Sequence, residues 1–128
     1  MIKYETTVIA VGEMAAEFAA DGVLIFFGED APEELHDFAV LTHTAQLHDP
    51  VEPGDLLEID GSTYSVTAVG DVANQNLAQL GHLVVKFNEL TAAELPGDIS
   101  VTAGPVPELK EGMTVRITSG RNRCSCPN

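Results

Sequence analysis

The feature that most constrains this chain is an approximate internal repeat. Ala10-Val11-Gly12-Glu13 returns 58 residues later as Ala68-Val69-Gly70-Asp71, and Phe27-Gly28-Glu29 returns at an offset of 60 as Phe87-Asn88-Glu89. Glu34-Leu35 matches Glu94-Leu95. Pro53-Gly54-Asp55-Leu56-Leu57-Glu58-Ile59 runs parallel to Glu111-Gly112-Met113-Thr114-Val115-Arg116-Ile117, again at 58. Four matches in one order imply duplication. Two copies are too few for a solenoid, which needs about three or more. The expectation is one domain over residues 1–118, with pseudo-repeats 5–60 and 63–118 sharing a core and a flexible tail at 119–128.

Each half carries the same pattern. A strand (Thr6 to Val11, Tyr64 to Val69) leads to the Ala-Val-Gly turn, and a short helix follows, near residues 13–19 and 71–80. In the second helix Ala73, Leu77 and Leu80 fall at helical spacing and Asp71 is placed to cap it. An apolar strand comes next, Val23 to Phe27 or Leu83 to Phe87. A helical turn after Pro32 or Ala92 precedes a strand at Phe38 to Leu41 or Ile99 to Thr102. The last strand begins after a glycine, at Asp55 or Met113. Asp60-Gly61 joins the halves between β-rich flanks, a strong hairpin signal. Short strands with turns every ~8–12 residues indicate a mainly β fold. The fold class expected is a closed or partly open barrel or sandwich of two pseudo-symmetric halves with short helices.

The balance of 20 acids against six bases, net −14, narrows the partners. Between Lys3 and Lys86 there is no lysine or arginine. Such a surface repels nucleic-acid backbones and anionic lipid, which makes both poor partners; the acidity serves solubility or steers a basic protein partner. No apolar run approaches ~18 residues, so no membrane insertion is expected. The first residues lack a basic start followed by an unbroken apolar stretch, which points to the cytoplasm. Cys124 and Cys126, one residue apart in the tail, are read as free thiols, since so short a spacing strains a disulfide.

Function is sought where the repeat departs from itself. The segment Thr42-His43-Thr44-Ala45-Gln46-Leu47-His48-Asp49-Pro50 makes the first half about three residues longer than the second. Its counterpart around Ala103-Gly104-Pro105-Val106-Pro107-Glu108 has no nucleophile. His43 ends the apolar run Phe38-Ala39-Val40-Leu41, so packing can hold it while one ring nitrogen meets solvent. The hydroxyls of Thr42 and Thr44 flank it and can orient the ring or donate to a phosphoryl oxygen. His82 opens the strand after Gly81, as a hydrogen-bonded structural residue or a second imidazole. His36 lies among acids on a solvated turn, and His48 beside Asp49 is the weaker nucleophile. There is no helical His pair for zinc, no phosphate loop, no dinucleotide fingerprint and no serine elbow. No cofactor is expected. A self-contained kinase needs cations near its phosphates, and the first 85 residues offer only Lys3. A carrier demands less, because its partners can supply them.

These residues resemble a known family. Tyr4-Glu5-Thr6-Thr7-Val8, Gly28-Glu29-Asp30-Ala31-Pro32-Glu33-Glu34-Leu35, Val66-Thr67-Ala68-Val69-Gly70-Asp71-Val72-Ala73, Asn76-Leu77, Leu80-Gly81-His82 and Ala103-Gly104-Pro105-Val106-Pro107 carry the likeness across residues 2–118. The chain resembles the glucitol/sorbitol-specific IIA component of the bacterial sugar phosphotransferase system. The resemblance implies a carrier-type phosphotransferase with a phosphohistidine intermediate. It would take a phosphoryl group from the general histidine-containing phosphocarrier protein and pass it to the IIB domain of a hexitol permease. It places the phosphorylated histidine on His43, with His82 as second candidate or supporting imidazole. The alternative from another class is a non-catalytic acidic β-barrel that binds a basic protein.

Overall fold

Alternation of inward and outward side chains builds the strands. In β1 (Ile2–Val11) Tyr4, Thr6 and Val8 point inward. Leu24 and Phe26 do so in β2 (Val23–Gly28), Leu57 and Ile59 in β4 (Leu56–Ile59), Tyr64, Val66 and Ala68 in β5 (Ser62–Val69), Leu83 and Val85 in β6 (Leu83–Lys86), and Val115 and Ile117 in β8 (Thr114–Thr118). β3 (Val40–Thr42) and β7 (Asp98–Val101) are buried throughout. The two short helices are α1 (Ala15–Ala20) and α2 (Ala73–Leu80). The computed structural model describes residues 2–120. The expectations for Cys124 and Cys126 fall outside them.

The strands close into a barrel in the order β1-β3-β2-β6-β7-β5-β4-β8. Exchanging β1–β4 for β5–β8 leaves this ring unchanged. Four antiparallel seams join the halves: β2 with β6 and β4 with β8, each pairing a strand with its own counterpart, then β1 with β8 and β4 with β5. In the second seam Glu58 pairs with Arg116, its own counterpart in the repeat. The β1–β3 and β5–β7 ladders carry register shifts at matching places, between Val8 and Ala10 and between Val66 and Ala68. Closure leaves no free sheet edge.

The recurrent Ala-Val-Gly has a steric cause. A β-carbon on Gly12 would run into the carbonyls of His36 and Asp37, and one on Gly70 into those of Pro96 and Leu95. The chain passes too close for any side chain. At the hairpin Asp60 and Gly61 have φ of 46° and 96°, the pair of positive values that a type I′ turn requires. Ile59 faces Ser62 across it.

Three local expectations need correction. The first half forms a 3₁₀ turn, Glu33–Leu35, but residues 92–97 form no helix. There the Asp98 carboxylate captures the Leu95 N–H at 3.1 Å, and Pro96 has no N–H to offer a helical ladder. Asp71 does not cap α2; Val72 holds that place without a side-chain bond. β3 begins at Val40, two residues beyond the expected Phe38.

Candidate functional site

β2 and β3 run parallel, with Phe27 beside Leu41 and Gly28 beside Thr42. Continuing that register sets Glu29 beside His43 just past the strand ends. β1 pins the backbone there: the His43 N–H donates to the Thr7 carbonyl at 3.1 Å, and the Thr6 hydroxyl donates to the His43 carbonyl at 2.7 Å. The His43 side chain is 59% exposed, and its Nδ1 lies 3.4 Å from Glu29 Oε2. The same carboxylate oxygen accepts the Thr44 N–H at 2.8 Å. That hydrogen bond, followed by the contact with His43, holds the Glu29 carboxyl below the usual range, so it stays anionic. Nε2 of His43 has no partner among the described residues. An open hollow of about 240 Å³ adjoins this corner, lined by Glu29, Thr44, Ala45, Pro32, Leu80 and Gly81 among others.

The other expected residues divide. Thr44 is exposed and belongs to this corner. Thr42 does not face outward: it is 1% exposed, and its hydroxyl donates to the Phe27 carbonyl inside the barrel at 3.3 Å. The buried Tyr4 hydroxyl also reaches Thr42, and burial raises the Tyr4 pKa. His82 is separate from His43. Its ring stacks on Phe27 with centroids 4.2 Å apart, and Nδ1 meets the Phe26 carbonyl at 3.2 Å. It borders an apolar trough with Phe18, Phe38 and Val84. His36, expected on a solvated turn, is half-buried, with Nε2 3.0 Å from the Ala31 carbonyl. His48 is exposed and its N–H donates to the Lys3 carbonyl.

The longer segment of the first half is held from behind. Lys3 is buried and donates to Asp55 at 2.7 Å and to the Pro50 carbonyl at 2.8 Å. Asn74 of α2 clasps the backbone of Val51 through both its amide atoms, at 2.7 and 3.0 Å. The corner after His43 is therefore fixed by β1 and α2, not by its own sequence. A second cavity, about 640 Å³ between α1 and residues 104–109, has no histidine in its lining. It is a groove lined mainly by small apolar side chains, whereas His43, Glu29 and Thr44 lie at the other corner. Among the described residues no group of three or more His, Cys, Asp or Glu is arranged to hold a metal, and no helix is long and apolar enough to cross a membrane.

The model of the family described as the glucitol/sorbitol-specific IIA component of the PTS system matches residues 3–116. The chain belongs to this family. Curated IIA components of that description from Shigella flexneri and Escherichia coli are each 39% identical over 105 residues, covering 82% of this chain and 85% of theirs. The crystal structure of a PTS system IIA component from Enterococcus faecalis superposes with a TM-score of 0.80 at 26% identity, covering 89% of this chain and 98% of that one. The closed barrel is thus found again in a solved IIA component.

Glu29 was not singled out as a site residue from the sequence. It stands in the repeat and in the family-like stretch, but no spacing rule joins it to a histidine 14 residues on. Only the parallel pairing of β2 and β3 does so. Leu80 falls at helical spacing with Ala73 and Leu77, yet it is 53% exposed at the rim of the hollow.

Proposed function

We propose that this IIA component carries a phosphoryl group on His43 in the cytoplasm, taking it from the general histidine-containing phosphocarrier protein and giving it to the IIB domain of a glucitol/sorbitol permease. The observation that carries the reading is the exposed imidazole at the barrel's end, with one nitrogen against a carboxylate and the other without a partner among the described residues. Two proteins must reach the same atom in turn, so an open corner suits the task better than a deep cavity. Transfer needs one nitrogen to attack phosphorus in line and the other to keep its proton. Thr44 stands at hand to donate to a phosphoryl oxygen. Lys3, Lys86 and Arg116 are held by carboxylates, and the hollow beside His43 has no lysine or arginine among its lining residues, which favours a partner as the source of positive charge for the transferring group. His82, stacked and hydrogen-bonded, supports the wall of the barrel.

The test is incubation with phosphoenolpyruvate, enzyme I and the general phosphocarrier, followed by intact mass. One acid-labile phosphoryl group is expected on the wild type and on His82→Ala, and none on His43→Ala. Acceptance by His43→Ala but not by His82→Ala exchanges the two roles. If no protein gains mass, the domain is a binding module for a basic partner.

A further inference from the structure

Resting on His43 as the acceptor, we infer that Glu29 is the positioning residue for its ring, directing the phosphoryl group to Nε2. Three observations meet at one atom. Glu29 Oε2 lies 3.4 Å from His43 Nδ1 and 2.8 Å from the Thr44 N–H. The Thr44 bond fixes the carboxylate relative to the residue next to His43, while the β1 bonds to the His43 backbone fix the ring's origin. The parallel register of β2 and β3 brings residues 29 and 43 side by side. An acceptor at Nδ1 selects the tautomer that carries its proton there and leaves the Nε2 lone pair free. Glu29 stays anionic over the working range, since the Thr44 bond and the His43 contact lower its pKa.

The chemistry balances with no further reactant. The Nε2 lone pair forms the new N–P bond as the P–N bond of the donor phosphohistidine breaks, and that electron pair returns to the donor's imidazole. The His43 proton remains on Nδ1, facing Glu29, which opposes the positive charge that spreads over the ring. Delivery onward to the IIB domain is the same step with donor and acceptor exchanged. A carboxylate that holds a histidine tautomer in this way is familiar from hydrolytic triads, but here both residues are exposed and the effect is smaller.

Glu29→Gln separates positioning from loop support, because the amide oxygen still accepts the Thr44 N–H while the charge is lost. Long-range ¹H–¹⁵N spectra of the imidazole report the tautomer, and ³¹P and ¹⁵N shifts of the phosphorylated protein report which nitrogen carries phosphorus. The expected results are phosphorus on Nε2, a shift of His43 away from the Nδ1–H tautomer in Glu29→Gln, and an unchanged Thr44 amide signal. Phosphoryl acceptance from the general phosphocarrier should slow by roughly fivefold, the equivalent of a strong exposed ion pair, with its KM unchanged. Phosphorus on Nδ1, or a Glu29→Gln protein with wild-type tautomer and rate, overturns the assignment while leaving His43 as acceptor. Acceptance by His43→Ala overturns the acceptor itself, so the two failures are distinct.

Discussion

Replacing Lys3 with methionine tests what holds the longer segment of the first half. The lysine side chain is 2% exposed and that of Asp55 is 0%. Methionine keeps the apolar stem and removes the ammonium. The Asp55 carboxylate then has only the Glu52 N–H, at 2.9 Å, to oppose its charge; its other oxygen is buried without a hydrogen bond. Breaking such a pair costs about 3–5 kcal/mol. The lost bond to the Pro50 carbonyl adds about 1 kcal/mol, so the deficit should be about 4 kcal/mol or more. Urea unfolding followed by circular dichroism reads this as a midpoint lower by about 2 M at pH 7, for a slope near 2 kcal/mol per M. Adding Asp55→Asn should restore most of the loss, since the amide oxygen still accepts the Glu52 N–H without a charge. A deficit below about 1 kcal/mol, or a double variant no better than the sum of the singles, would refute the reasoning.

Three further outcomes are expected. Gly12→Ala and Gly70→Ala should each destabilise by about 1–3 kcal/mol or more, because the clash is with backbone carbonyls that cannot swing away; unchanged melting temperatures would show that the crossings can spread. The unfolding midpoint should hold below about pH 10 and drop above it. The hydrogen bond that Lys86 donates to Asp98 raises the Lys86 pKa and burial raises that of Tyr4, so both hold their protons more tightly folded than unfolded, and their contributions vanish as pH climbs through the raised values. A flat profile to pH 11.5 would contradict this. Asn74→Ala should cost about 1–3 kcal/mol by stranding the Val51 N–H and carbonyl, and should speed hydrogen exchange in residues 48–52 before it affects the barrel strands; uniform acceleration across the barrel would mean that the clasp is not local.

Local pattern was enough for much of the architecture. Alternating side chains show where Leu24, Phe26, Leu83 and Val85 turn inward, because the strand period is two residues whatever the neighbouring strand is. Asp60-Gly61 announces its own turn through the φ values that it tolerates. The repeat implied matched halves. The pattern failed where the Asp98 carboxylate took the N–H that a helical turn at 92–97 would have used, and where Val72, with no side-chain bond, stands in place of the expected Asp71 cap. The site was legible only in part. His43 stood out because its segment lacks a counterpart, and the family resemblance pointed to the same residue. Its partner did not stand out, since Glu29 and His43 meet through a parallel strand pair whose register no local signal states. The inward turn of Thr42, the separation of His82 from His43 and the burial of Lys3 against Asp55 share that origin. Each depends on which strand lies beside which, and that is decided only when eight strands close around one core and every inward position must be filled at once.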